Sequence, residues 1–235
     1  MNDETLRSLL GARASGEAVV LATDLTTGEE ELIRPFAAHQ ENAGALVEAA
    51  LVEAAHDAAL ADRSQTLETE TGRTFLHVFN PPLRLVVVGA VHIAQPLSAM
   101  AAEAGYDVTV VDPRAAFTTE ERFPGTELVR SWPEEALAEI GLDSRTAVVT
   151  VTHDPKLDDP ALRAALASDV FYIGALGSRR THDARLNRLR EAGLSEEDLL
   201  RIHAPVGLDL GARTPGEIAA SVVAQIIQVL RAGSG

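Results

Sequence analysis

Beyond residue 82 the chain alternates short runs of valine, isoleucine and leucine with longer stretches whose apolar residues recur every three or four positions. The runs at 85–89, 107–112, 146–152 and 170–174 are rich in β-branched residues rather than strictly alternating, the pattern of strands buried on both faces. Helical spacing follows His92 and recurs near 134–140, 160–167, 179–191 and 215–231. Strand and helix in alternation predict an α/β fold, a Rossmann-like doubly wound parallel sheet with helices on both faces. Ligands then sit at the carboxyl ends of the strands. The last helix has the sharpest start: Thr214 reads as its N-cap, Pro215 as its first residue and Glu217 as the reciprocal member of a capping box. Ile218, Val222, Ile226 and Val229 fall on one face of it, a packing surface.

The first third reads differently. Segments 17–23 and 31–36 suit short strands around a turn at Thr27-Gly28, an alanine-rich helix spans 42–60, and 65–70 and 73–79 suit two further strands. Asn80-Pro81-Pro82 separates the two regions, because consecutive prolines fit neither a helix interior nor a central strand. The expected organisation is a smaller N-terminal α+β domain over 1–82 and a Rossmann-like domain over 83–235.

Charge and composition then exclude functions. The 235 residues hold 20 Lys and Arg against 35 Asp and Glu, a formal net charge of -15. Nucleic acid and anionic membrane surfaces call for clustered basic charge, so neither is an expected partner. Cysteine is absent, which excludes disulfides, thiolate zinc sites, iron–sulfur clusters held by this chain and a cysteine nucleophile. Asp3, Glu4 and Arg7 stand where a secretory signal has its apolar core, and no stretch approaches the roughly 18 apolar residues of a membrane span. A cytoplasmic protein is expected.

Four segments carry candidate chemistry. The first is a strand running into the turn Gly89-Ala90-Val91-His92, with Asp112 ending the next strand about 20 residues on, the layout of a dinucleotide fingerprint. In that layout Asp112 meets a ribose hydroxyl; it equally suits a pterin, or a cap with Arg114 nearby. NAD(P) binding is opposed by Val91, whose branched side chain stands where the second glycine lets backbone approach a pyrophosphate. Pro96 is compatible with the following helix only if that helix starts close to Ile93.

The second segment runs from Tyr172 through Gly174 and Gly177 to Ser178-Arg179-Arg180: strand, glycine turn and helix start, with Ser178 as N-cap. Two arginines at the positive end of a helix dipole call for a compensating anion. A phosphate or carboxylate ligand supplies one through backbone N–H groups and guanidinium forks; Asp183 or another carboxylate of this chain is the alternative. The third feature is a set of histidines, His92, His153 and His203, each following a strand or extended segment, with Asp154, Asp158 and Asp209 close in sequence. They can ligate a divalent metal, act as acid and base, or bond loops, and their spacing matches no ligand motif. The fourth is the loop at 203–215, where Gly207, Asp209 and Gly211 crowd in before a capped helix, as in a shaped binding loop or a covering turn. No nucleophile-elbow serine and no phosphate-binding Walker sequence occurs.

With these residues in view, the chain resembles the XdhC/CoxI family of maturation factors for molybdenum hydroxylases such as xanthine dehydrogenase. The resemblance covers about 83–230 and rests on the 86–94 turn, Val111-Asp112-Pro113-Arg114, Thr152-His153-Asp154, 172–180 and 203–218, in the family's order and spacing. It implies a Rossmann-like C-terminal domain, a homodimer or other oligomer, and binding of molybdenum cofactor (molybdopterin). By resemblance the protein is a chaperone rather than a catalyst, guarding the cofactor while a cysteine desulfurase supplies sulfide and then delivering it to the hydroxylase apoenzyme. The cofactor-binding set is then Gly89, His92, Asp112, Arg114, His153, Asp154, Gly174, Gly177, Ser178, Arg179, Arg180, His203, Gly207 and Asp209, with no catalytic residue and no protein metal ligand. The chain departs from the family at Val91, in its abbreviated N-terminal part, and at Ala45, which stands where the family's Gly-Gly-Cys segment has its thiol. Two other readings of the same residues are an NAD(P)-dependent oxidoreductase of small molecules, using Asp112 and His153, and a docking module without cofactor.

Overall fold

The structure, a computed structural model, describes residues 3–37, 49–69 and 72–232. The chain divides into two compact units, one reaching to Pro81 and the other running from Pro82 to Ala232.

In the first unit, β1 (Val19–Asp24), β2 (Glu30–Ile33), β3 (Gln65–Thr69) and β4 (Gly72–Phe79) form an antiparallel sheet in the order β2-β1-β4-β3. The Asp24 carboxylate shapes the β1–β2 turn by accepting the N–H groups of Thr26 and Thr27 at 2.7 and 2.8 Å. Successive side chains alternate across a strand, so Val19 and Val20 face opposite sides. Val20 joins Ala22, Ile33 and Leu76 under α2 (Ala49–Leu60), while Val19 packs with Leu9 and Ala12 of α1 (Asp3–Ala14). The sequence reading has no α1, because its buried stripe is only Leu9 and Ala12. Residues 42–48 of the expected helix, with Ala45, and Glu70 of the expected third strand lie outside the described residues.

The second unit is the doubly wound fold that the alternation predicts. Strands β5 (Leu83–Val88), β6 (Tyr106–Val111), β7 (Glu127–Val129), β8 (Thr146–Thr150), β9 (Tyr172–Ala175) and β10 (Ile202–His203) form one sheet in the order β10-β9-β8-β5-β6-β7, every neighbouring pair parallel. Both faces are covered. Leu85, Val87, Val110, Ala147 and Val149 pack against α3 (Ala94–Glu103) and α8 (Pro215–Ala232). Val86, Val88, Val111, Val148 and Ile173 pack against α4 (Pro133–Ile140), α5 (Pro155–Leu166) and Leu189 of α6 (Arg179–Glu191). Burial on both faces is why these strands are mostly apolar, with few polar residues such as Asp107 and Thr109 of β6.

Some boundaries move for local reasons. α5 opens at Pro155 rather than near 160, because Asp154 caps it by accepting the Lys156 N–H at 3.0 Å and Pro155 supplies the preset φ of a first helical residue. Pro160 therefore lies inside the helix. The short elements β7 and α7 (Glu196–Leu199) are absent from the sequence reading, although Ser195 and Asp198 form a reciprocal capping box that marks α7. The box at α8 is as expected: Thr214 Oγ1 accepts the Glu217 N–H at 3.2 Å and Glu217 accepts the Thr214 N–H at 2.9 Å.

Candidate functional site

Strand order decides which loops meet. From β5 the chain steps to β6 and β7 on one side and then returns to β8 on the other, so the crossovers diverge between β5 and β8. The carboxyl ends of two strands that part in this way frame the binding crevice of a doubly wound sheet.

The turn after β5 is built around Gly89, whose φ of +112° is open to glycine and strained for any other residue. A Cβ there would stand 2.1 Å from the methyl group of Thr152, so the β5 and β8 loops touch at this point. α3 takes Ile93 as N-cap and Ala94 as first residue, which leaves Pro96 in the first turn, where a backbone N–H has no helical partner to lose. Val91 is half-buried against the α3 side of the core.

Asp112 is 0% exposed. One carboxylate oxygen accepts the Ala90 N–H at 2.8 Å and the Arg114 Nη2–H at 2.6 Å; the other accepts the Arg114 N–H and Nε–H at 2.9 and 2.8 Å. Here Asp112 holds the glycine turn and Arg114 in place and turns no oxygen outward to a ribose. Burial alone raises its pKa, but the bonds from Arg114 and Ala90 outweigh burial and hold it below the usual carboxylate value. Stability from this group is therefore present at neutral pH and is lost as pH falls through the lowered value. Asp112→Asn is expected to lose about 1–3 kcal/mol at pH 7, and urea titrations should show its gap from the parent narrowing below about pH 4. A gap unchanged down to pH 3 would contradict the assignment. Arg114 itself is exposed, lies over the Phe117 ring at 4.7 Å, and has its already high pKa pushed further up chiefly by the hydrogen bond to Asp112, with a smaller contribution from the charge of Asp154.

The loop after β8 carries His153 in a left-handed conformation, φ +66°, uncommon for a residue with a side chain. Its exposed ring faces the next loop: Nδ1 would be 3.8 Å from a Cβ on Gly177. Beneath it, Asp158 accepts the Thr152 hydroxyl at 2.6 Å and the His153 N–H at 3.2 Å, and pairs with Arg185 Nη2 at 3.3 Å. Asp154 is exposed and caps α5.

After β9, Gly177 leads into Ser178, whose hydroxyl accepts the Thr181 N–H at 3.2 Å and caps α6 as expected. Arg179 and Arg180 are exposed. Among the described residues neither pairs with a carboxylate, Asp183 included, whereas Arg188 is held by Asp159 and Arg190 by Glu196. The head of α6 thus combines first-turn backbone donors, of which the Thr181 N–H goes to the Ser178 hydroxyl, the positive end of a helix dipole and two guanidinium groups without a carboxylate partner among the described residues.

The other expected residues divide. Gly174 and Gly207 serve close packing: a Cβ on Gly174 would meet Val206 at 2.6 Å and one on Gly207 the Ser221 hydroxyl at 2.3 Å. Gln225 ties this loop down, its side-chain oxygen accepting the Gly207 N–H at 2.8 Å and the Tyr172 hydroxyl at 2.6 Å. His203 is half-buried and stacked on Tyr172, with ring centroids 4.8 Å apart, and burial lowers its pKa. His92 and Asp209 are exposed, without a side-chain hydrogen bond or ion pair among the described residues. No group of three or more His, Asp or Glu able to hold a metal occurs among the described residues, and no helix there is long and apolar enough to cross a membrane. Sequence reasoning passed over Arg185 and Gln225. A buried arginine in so polar a helix has no local signal, and Gln225 sits among the apolar residues of α8 without a motif.

Comparison with known proteins bears on the same region. The family model of the XdhC Rossmann domain matches residues 85–226. A protein of Bacillus subtilis strain 168 named as a probable subunit of xanthine dehydrogenase is 34% identical over 180 residues, covering 73% of this chain and 52% of that protein. The "molybdenum cofactor insertion chaperone PaoD" of Escherichia coli K12 is 37% identical over 151 residues, covering 64% of this chain and 41% of that protein. The chain spans about half or less of the length of the curated relatives it matches. A crystal structure described as a xanthine dehydrogenase from Bacillus halodurans superposes with a TM-score of 0.69 over 97% of this chain and 64% of that one, at 24% identity, a likeness of fold.

Proposed function

Because the chain belongs to the XdhC family, we propose that it is a maturation factor that receives molybdenum cofactor, holds it during sulfuration and passes it to a xanthine dehydrogenase-type hydroxylase. The names of two relatives, a probable part of xanthine dehydrogenase and a cofactor insertion chaperone, support this reading. The observation that carries it is the head of α6, where Arg179 and Arg180 face solvent with no carboxylate partner among the described residues. An otherwise acidic chain of net charge -15 has here a place suited to an anion. The cargo carries a phosphate and a negatively charged metal group; the phosphate suits the Gly177 turn, the Ser178–Arg180 N–H groups and the two guanidinium forks.

The donor set is less suited to the metal end. The chain has no thiol, and no metal-holding cluster occurs among the described residues. On this proposal the protein binds the cargo by charge and hydrogen bonds, leaving the molybdenum without a ligand from the described residues. Exposed His92, Arg114, His153 and Asp154 are the polar groups available to the pterin along the same strand ends. Asp112, Gly174 and Gly207 shape the loops. A cysteine desulfurase as sulfur donor and a homodimer as the working unit belong to the same proposal.

The test is anaerobic mixing of the purified chain with molybdenum cofactor, followed by native mass spectrometry. A retained pterin–molybdenum mass is the expected result. Retention of a dinucleotide instead, or of nothing at cofactor concentrations in the micromolar range, would overturn the proposal.

A further inference from the structure

Arg185 is the one charged residue of α6 that is only 1% exposed, and its side chain runs back toward the helix start, as the tilt of helical Cβ atoms favours. Its Nη2 donates to the Leu176 carbonyl at 2.9 Å, next to Gly177, and reaches Asp158 at 3.3 Å. Asp158, also 1% exposed, holds the Thr152 hydroxyl and the His153 N–H. One guanidinium therefore ties together two loops that belong to separate crossovers: 152–154 after β8, and 176–178 after β9.

The pair is a poor device for stability alone. Taking two charges out of water is offset only when geometry is good and the remaining hydrogen-bonding groups are satisfied. Here Nε and Nη1 of Arg185 are buried with no hydrogen-bond partner among the described residues, and burial outweighs the hydrogen bonds to Asp158, raising its pKa above the usual carboxylate value. Well-packed apolar side chains would fill the same space at no such penalty. What an apolar pair cannot do is hold the strained backbone of His153 and the Gly177 turn at a set separation. That separation brings His153 to the edge of the α6 head.

We propose that Arg185, acting through Asp158 and the Leu176 carbonyl, is a positioning residue that sets the spacing between the His153 loop and the oxyanion-binding head of α6. This rests on the anion-site reading above. Arg185 acts through the two loops and touches no ligand.

Inorganic phosphate, added to the full chain and followed by NMR at the backbone amides of 177–180, is the probe. The parent should show saturable shifts, and Arg179→Ala with Arg180→Ala should abolish them. If the parent fails to saturate, or that variant binds like the parent, the anion reading is wrong and the positioning role falls with it. The deciding variant is Asp158→Leu with Arg185→Leu. It is expected to stay folded, since both buried charges leave together, yet bind phosphate at least tenfold more weakly. A folded double variant with parental affinity would overturn the positioning role and leave the anion reading standing. Should the double variant not fold, Asp158→Asn takes its place: at least threefold weaker binding, with the His153 and Gly177 amides already displaced before phosphate is added, is expected. Parental affinity with an unmoved Gly177 amide would overturn the proposal.

Discussion

Alanine at both Arg179 and Arg180 is expected to weaken retention of molybdenum cofactor at least about a hundredfold, since charge-assisted hydrogen bonds contribute roughly 1.5–3 kcal/mol each and about 1.4 kcal/mol is a factor of ten. The loss should be large for two exposed residues because neither guanidinium is committed elsewhere among the described residues. Arg188 and Arg190, a few residues on, are held by Asp159 and Glu196 and should tolerate alanine with little loss of affinity. Folding should scarcely respond: cations in a first helical turn oppose the dipole, so removing them changes stability by only a few tenths of a kcal/mol. Anaerobic calorimetric titration together with thermal melting separates the two effects. A collapse in Tm would make the arginines structural, and unchanged affinity at unchanged Tm would place the cargo elsewhere. Because the site is exposed, the parent's affinity should also fall as salt is raised from 0.05 to about 0.5 M.

Gly89→Ala is the substitution with the largest expected effect on folding, about 3–5 kcal/mol. Two separate penalties add. A φ of +112° is strained for any residue with a Cβ, and the new atom would stand 2.1 Å from the Thr152 methyl in the packed junction of the β5 and β8 loops. Thr152→Ser removes that methyl and keeps the hydroxyl that Asp158 accepts. In the Gly89→Ala background the serine should therefore recover about 1–2 kcal/mol, the share due to the clash, while the backbone strain remains. Urea unfolding of the parent, the two single variants and the double variant yields this coupling directly. Strictly additive effects would show that the two loops do not meet as described.

The junction illustrates how far local sequence reaches. Glycine at 89, serine at 178 and the Thr214–Glu217 box were all legible, because turns and caps depend on residues within four positions of one another. The valine-rich runs were legible for the same reason: a strand covered on both faces announces itself by being mostly apolar. From these the doubly wound class followed, as did a strand-end crevice and a cationic helix start. The elements that escaped, α1, β7 and α7, are short or carry few buried residues, so their periodicity hardly differs from that of a loop.

By itself, then, the sequence determined the fold class, most of the strands and helices, the capped helix starts and the family resemblance, because each of these is written in periodicity, turn chemistry and motif order. Only the tertiary structure decided which charges are spent and which are free. Asp112 stands at the position that suits a ribose, yet its oxygens go to Ala90 and Arg114 because the β5 turn folds over the end of β6. Arg185 sits in a helix, Arg179–Glu191, crowded with charged residues, yet it is buried because α6 packs on α5 and reaches the β9 loop. Burial and pairing are properties of residues far apart in the chain. They depend on strand order and on which helix covers which face, and no local window of sequence contains that information.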